Sequence, residues 1–156
     1  MAKYRKYITK GILEPIHKVP FHDKAPIKRT LMLGKNQKIQ SKIHLAVHEV
    51  NSRGKKIAPY TQLHRHNVDE IDLILSETGK LVYEIQLGDE SYKIRAPCTI
   101  YIPKGLQHKA NLVSGKGVFV CMILAKKYKT FKRNEHQDWK NFRCAGKKGK
   151  IRGQAL

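Results

Sequence analysis

Between residues 43 and 125 the chain is cut at short intervals by turn residues, and the pieces between the cuts are apolar, β-branched and short. IHLAVHEV (43–50), IDLILSE (71–77), KLVYEIQL (80–87), YKIRA (92–96), TIYIP (99–103), HKANLV (108–113) and VFVCMILA (118–125) are runs of five to eight residues. That is strand length, below the ten or more residues a packed helix needs. NSRGKKIAPYTQ (51–62), ETGK (77–80) and GDES (88–91) supply the turns between them. In IDLILSE the alternation puts Ile71, Leu73 and Leu75 on one face and Asp72, Ile74 and Ser76 on the other. Short strands at near-regular spacing with glycine and proline between them predict an all-β sandwich or barrel.

The two ends differ from this middle in charge. Residues 1–42 carry 11 Lys/Arg against 2 Asp/Glu, residues 43–125 carry 10 against 8, and residues 126–156 carry 11 against 2. The net charge of +20 therefore sits almost wholly at the ends. The expected organisation is a basic N-terminal arm over 1–40, a barrel over 41–125 and a basic C-terminal tail over 126–156, without internal repeats. Pro15, Pro20 and Pro26 predict an extended arm lying on the barrel or on a partner chain, with TLMLG (30–34) as an added strand. In the tail, YKTFKRNEHQDWKNFR (128–143) is expected to form a short helix, and GKKGKIRG (146–153) to be disordered for want of apolar side chains to bury.

Several classes drop out. The longest apolar runs, such as residues 118–125, are too short to span a bilayer, and the basic N-terminus lacks the apolar core of a secretory signal. The expected compartment is the cytoplasm, with no membrane partner. Cys98, Cys121 and Cys144 form no CxxC pair, which argues against a zinc ribbon and for a reducing environment. Cys121, inside VFVCMIL, reads as a small buried residue, and Cys98 as packing.

Two strings carry chemistry. In LHRHNVDEIDL, His64 and His66 are two apart, so on a strand their side chains leave the same face, and Glu70 follows where a bend returns a carboxylate to that pocket. In IPKGLQHKAN, Pro103 and Gly105 make a tight turn that delivers His108 at the start of a strand. Three imidazoles and a carboxylate suit one divalent transition metal: Fe, Mn, Ni, Zn, Co or Cu.

His64-Arg-His66-Asn-Val-Asp-Glu70 followed by Pro103-Lys-Gly105-Leu-Gln-His108 resembles the two-part HxHxxxE and PxGxxH motif of the cupins, over roughly residues 41–125. The resemblance implies a single-domain, metal-binding, conserved-barrel cupin: a jelly-roll β-barrel with basic N- and C-terminal extensions and a metal deep in its mouth. It also implies a homodimer that exchanges N-terminal strands. The family's usual glycines are replaced here by Ala58, Glu77 and Pro97, and its asparagine by Leu112 with Asn111 one position early; these are turn and packing positions, and all four ligands are intact.

Tyr60, Gln62, Tyr83, Glu84, Gln86, Tyr101 and Asn111 are candidates for lining the barrel mouth, about half of them by strand alternation. His44 and His48 share one strand face that either turns them toward the pocket or leaves them as solvated or core-satisfied histidines, the second being the expected case; His17, His22 and His136 read as exposed residues of the arms. The expected function is a metalloenzyme of the dioxygenase, decarboxylase or isomerase type, acting on an oxygen-rich small molecule such as a hydroxy acid, keto acid, phenol or sugar derivative. The alternative is a non-enzymatic module that senses a ligand or metal while its basic tails bind nucleic acid or an acidic partner. Tyr128, Phe131, Trp139 and Phe142, interleaved with lysines and arginines, either stack on bases or pin a helix to the barrel.

Overall fold

Alternating β-branched and aromatic residues turn each of the seven runs into a strand. The computed structural model describes residues 3–35, 37, 39 and 41–132. Their strands are β1 (Ile12–Leu13), β2 (Lys28–Leu33), β3 (His44–Asn51), β4 (His64–His66), β5 (Glu70–Leu75), β6 (Val82–Leu87), β7 (Glu90–Arg95), β8 (Cys98–Ile102), β9 (His108–Ser114), β10 (Lys116–Ile123) and β11 (Thr130–Lys132). One sheet has the order β1-β2-β3-β10-β5-β8 and the other β11-β4-β9-β6-β7. Every pairing is antiparallel, and the two sheets close as a jelly-roll barrel. No helix among the described residues is long and apolar enough to cross a membrane.

Register decides which residues meet inside. In the six-stranded sheet His44, Ile123, Glu70 and Ile102 lie side by side, one strand to the next. The next inward row is Ala46, Cys121, Asp72 and Ile100, and the next is Arg29, His48, Phe119 and Ile74. The inward face of β5 is thus Glu70, Asp72 and Ile74, whereas Ile71 and Leu73 are half-buried and Leu75 is exposed on the outer face. Beside them on that outer face stand Leu45, Val47, Val118, Val120 and Met122, so the outer face of this sheet is largely apolar there. Away from the acidic rows the interior is hydrophobic, with Tyr83, Ile85, Leu81, Leu112 and Phe119 at its centre.

The N-terminal residues do more than lie on the surface. β2 pairs with β3 and β1 with β2, while Ile16, Ile27 and Leu31 are buried. The start of the C-terminal stretch expected to be helical is strand instead. Thr130 and Phe131 favour strands, and β4 offers an open edge whose backbone groups β11 satisfies. The remainder of that stretch, including Arg133, His136, Trp139, Phe142, Cys144 and the run 146–153, lies outside the described residues.

Candidate metal centre and its cavity

Four elements bring the two strings together. β4 presents His64 and His66 on one face, both buried, and His64 is the register partner of His108 at the start of β9. Gly105 makes this possible: at φ 82° it takes the left-handed conformation that glycine favours, and its N–H donates to the carbonyl of His66 at 2.9 Å. That bond ties the second string to the first. Glu70 opens β5 on the facing sheet and points inward, also buried.

The imidazole centroids lie 4.5 to 5.2 Å apart, and the donor nitrogens of His64, His66 and His108 fall within 4.8 Å of one another. Each ring is held from behind. Nδ1 of His64 bonds the carbonyl of Gln62 at 2.8 Å, and Nδ1 of His108 that of Leu106 at 3.0 Å. A carbonyl can only accept, so both Nδ1 atoms carry a proton and the Nε2 atoms are the ones turned toward the site. Nδ1 of His66 lies 3.1 Å from Oγ1 of Thr130, which leaves its Nε2 facing Glu70.

The donor set fits a cation. Oε2 of Glu70 is 3.1 Å from Nε2 of His66 and 3.2 Å from Nε2 of His108. Yet neither that oxygen nor Nε2 of His108 makes a hydrogen bond of acceptable geometry among the described residues, and both are buried. Two donors each ~2.1 Å from one ion and ~90° apart are ~3.0 Å from each other. Crowded, buried, acceptor-rich atoms at that separation are what a shared ion relieves.

Electrostatics differ across the set: burial would lower His108, but the Glu70 carboxylate outweighs it and raises His108 above its ordinary value. Burial and the neighbouring His108 push His64 down to about 3, so its ring is neutral. Burial alone would raise Glu70, but His108 and His66 outweigh it and hold its carboxyl well below the ordinary range. Burial and the adjacent Glu70 charge hold Asp72 well above the ordinary range, as a neutral acid.

A cavity of about 60 Å³ adjoins the centre. Its walls include Arg29, His48, Tyr60, Asp72, Cys121 and Tyr128 besides the four residues above. Of the residues named as mouth candidates, Tyr60 lines it. Tyr83 is fully buried behind, stacked on Phe119 with centroids 4.8 Å apart. Asn111 is buried with its Oδ1 accepting from the N–H groups of Tyr60 and Thr61 at 2.8 and 2.9 Å, so it shapes the wall from outside. Four others do not reach the cavity. Glu84 and Gln86 have the outward parity of β6, and Gln86 bonds the carbonyl of Gly88. Gln62 bonds Asp23 at the surface, and Tyr101 is 55% exposed, its hydroxyl on Asp69.

His22, expected to be exposed, lines the cavity with its ring 5.7 Å from that of His64. A turn at Phe21, φ 63°, and a bridge between His22 and Thr61 fold it in. His48 is buried in the cavity wall, and burial pushes it down to about 3. Cys121 is more than core filling: its thiol donates to Oε1 of Glu70 at 3.2 Å. Arg29, Asp72, Tyr128 and Thr130 were not singled out as site residues from sequence. Asp72 had a signal, since it shares the parity of Glu70 on one strand, and Arg29 had none.

No protein-family model and no curated protein sequence matches the chain. Solved structures do. A cupin 2 conserved barrel domain protein from Rhodopseudomonas palustris superposes with TM-score 0.55 at 13% identity, over 81% of this chain and 78% of its own. A cupin 2 domain-containing protein from Halorhodospira halophila gives TM-score 0.53 at 15% identity, over 70% and 71%. The polyketide cyclase RemF from Streptomyces resistomycificus gives 0.50 at 16% identity, over 88% and 89%.

Proposed function

We propose that this chain, whose fold is that of the cupins, binds one divalent transition metal through His64, His66, Glu70 and His108, and that the loaded protein is an enzyme acting on a small oxygen-rich molecule. The observation that carries the metal reading is the convergence of Glu70 Oε2 with two imidazole nitrogens at 3.1 and 3.2 Å, beside the third imidazole of His64. A bound ion would supply Lewis acidity toward a substrate oxygen and, if redox-active, electrons for O2. The protein's own residues do the rest. The Nδ1 anchors of His64 and His108 orient the rings, the small cavity limits substrate size, and neutral Asp72 is a proton donor in its wall. RemF, an enzyme on the same fold, supports the reading only to the extent that this scaffold can host catalysis.

The test has two stages. Protein purified without added metal is assayed for stoichiometric ion by elemental analysis, with His108→Ala as control. Protein loaded with Fe, Mn, Ni, Zn, Co or Cu is then screened on hydroxy acids, keto acids, phenols and sugar derivatives, with and without O2. Stoichiometric metal that His108→Ala abolishes, together with turnover, supports the reading. Absence of metal ends it, and metal without turnover removes its enzymatic half.

One observation favours a second reading, a ligand or metal sensor whose basic ends dock on nucleic acid. Tyr128 and Thr130 tie the C-terminal segment to the site through His66, with ring centroids 5.0 Å apart and a contact at 3.1 Å. Nucleic-acid retention that responds to metal loading, weakens with salt and is lost when residues 133–156 are removed would favour it. Retention unaffected by any of these would remove it.

A further inference from the structure

Arg29 is a feature of the cavity wall that the metal reading does not use. It sits on β2, is only 5% exposed, and lines the same cavity as the four candidate ligands. Burying a guanidinium is expensive, and an ion pair kept only for stability is commonly no better than a well-packed apolar pair. Its partners among the described residues are Glu14, on Nη1, and Nε2 of His44, 3.3 Å from Nη2. A guanidinium carries five N–H donors, so these two contacts leave capacity for a planar acceptor. Next to it in register is His48, whose Nε2 is buried in the cavity wall without a hydrogen-bond partner among the described residues.

We propose that this wall is a carboxylate-binding subsite: a small substrate places its carboxylate on Arg29, beside His48, while another of its oxygens faces the cluster of His64, His66, Glu70 and His108. The second half rests on the metal reading above; the first does not. Guanidinium geometry selects a carboxylate over a neutral group, because two parallel N–H donors match two coplanar oxygens. The surroundings favour an anion too. His48, next to Arg29 in register, and His44, with Nε2 3.3 Å from its Nη2, are held in their neutral form mainly by burial. Arg29 therefore brings a positive charge to a wall where its nearest imidazoles carry none, with Glu70 against His66 and His108 and Glu14 half-buried at its Nη1. The cavity of about 60 Å³ has room for a small acid beside Arg29.

The test uses titration calorimetry on the full chain, metal-loaded and metal-free, at fixed ionic strength. The probes are lactate and malonate, each against its uncharged counterpart, lactamide or malonamide. At least one acid is expected to bind ten-fold or more tightly than its amide. Arg29→Gln is expected to bring that acid down to the affinity of its amide while leaving metal stoichiometry unchanged. Equal binding of acids and amides by the wild type overturns the proposal, and that comparison needs no variant to fold. Arg29→Gln binding the acid as the wild type does also overturns it. A protein that takes up no metal yet binds the acid through Arg29 keeps the subsite and loses the metal reading. One that takes up metal and shows no preference for the acid does the reverse.

Discussion

Cys121 places its thiol 3.2 Å from Oε1 of Glu70, on the opposite side of the carboxylate from the imidazoles of His66 and His108. The carboxylate is thereby held between two sheet positions, and its Oε2 is left aimed at the histidines. A donor behind a ligand carboxylate fixes its orientation, and losing such a donor typically weakens metal binding by ~10- to 100-fold.

Cys121→Ala is therefore expected to bind metal ~10-fold more weakly, while a far-ultraviolet spectrum shows the same strands. Competition against a chelator of known affinity measures the change. Burial and the nearby Glu70 charge also raise the Cys121 thiol well above its ordinary range. Peptide mapping after brief alkylation of native protein should find Cys98 modified well before Cys121. Wild-type affinity in the alanine variant, or rapid labelling of Cys121, would show that the thiol is mere filler.

Metal should also stabilise the fold. A ligand present at ~100 times its dissociation constant adds about 2.7 kcal/mol to a state that alone binds it. The melting temperature of wild-type protein is expected to rise on adding the cognate ion and to fall back with chelator. In His108→Ala that response should vanish, though the metal-free melting temperature stays within a few degrees of the wild type. A full response in the variant would contradict the four-residue site.

The barrel, and the meeting of the two strings, were legible in the sequence because strand alternation and turn residues are local signals. HxH fixes two side chains on one face whatever surrounds them, and Gly105 marks the turn that delivers His108. What could not be read was which face of an apolar strand points inward. Ile71, Leu73 and Leu75 look like a core stripe, yet the inward residues of β5 are Glu70, Asp72 and Ile74. The outer face of β5 is the more apolar one, so hydrophobicity pointed the wrong way. Parity with Glu70 pointed the right way, and it also pointed to Asp72. Arg29, His22 and Tyr128 lie far from the motifs in sequence. They reach the cavity only through the pairing of β2 and β11 with the barrel and the fold of the segment before β2, which no spacing rule encodes.

Buried neutral histidines make stability pH-dependent with a definite sign. His48 and His64 are pushed down to about 3 by burial, against 6.5 when exposed. Between those values the unfolded chain binds protons that the folded chain does not, so stability rises with pH there and is lost as pH falls below ~6.5. The slope approaches roughly 1.4 kcal/mol per pH unit for each ring. Asp72, raised by burial, works the other way, because its contribution falls as pH climbs from 3.8 through its folded value. The net expectation for metal-free protein is a urea midpoint that drops from pH 6.5 to pH 4.5, and a shallower drop in His48→Gln. Equal slopes in the two proteins would mean His48 does not stay neutral.

Asn111 tests how the cavity wall is held. Its Oδ1 accepts from the backbone N–H groups of both Tyr60 and Thr61, at 2.8 and 2.9 Å. Asn111→Leu leaves two buried donors without a partner, each worth about 1–3 kcal/mol. A loss of roughly 2–4 kcal/mol in denaturant unfolding is expected, together with faster amide exchange at Tyr60 and Thr61. A change below 1 kcal/mol would mean that water or another acceptor replaces the side chain.

Glycine in the turn between β9 and β10 is required on two independent counts, and a matched pair of variants separates them. Gly115 has φ 96°, and a Cβ there would lie 2.3 Å from the carbonyl oxygen of Lys80 and 2.8 Å from the Cα of Leu81. Those are backbone atoms of the segment leading into β6, so relief requires the two chains to move apart. Gly54 has φ 72° and nothing within 4 Å of a built Cβ. Gly54→Ala should therefore lose only the conformational term, about 1 kcal/mol. Gly115→Ala should lose that and the clash, more than ~3 kcal/mol, with a lower yield of folded protein. Similar losses at both positions would show that the β9–β10 turn sits farther from residues 80–81 than this packing requires.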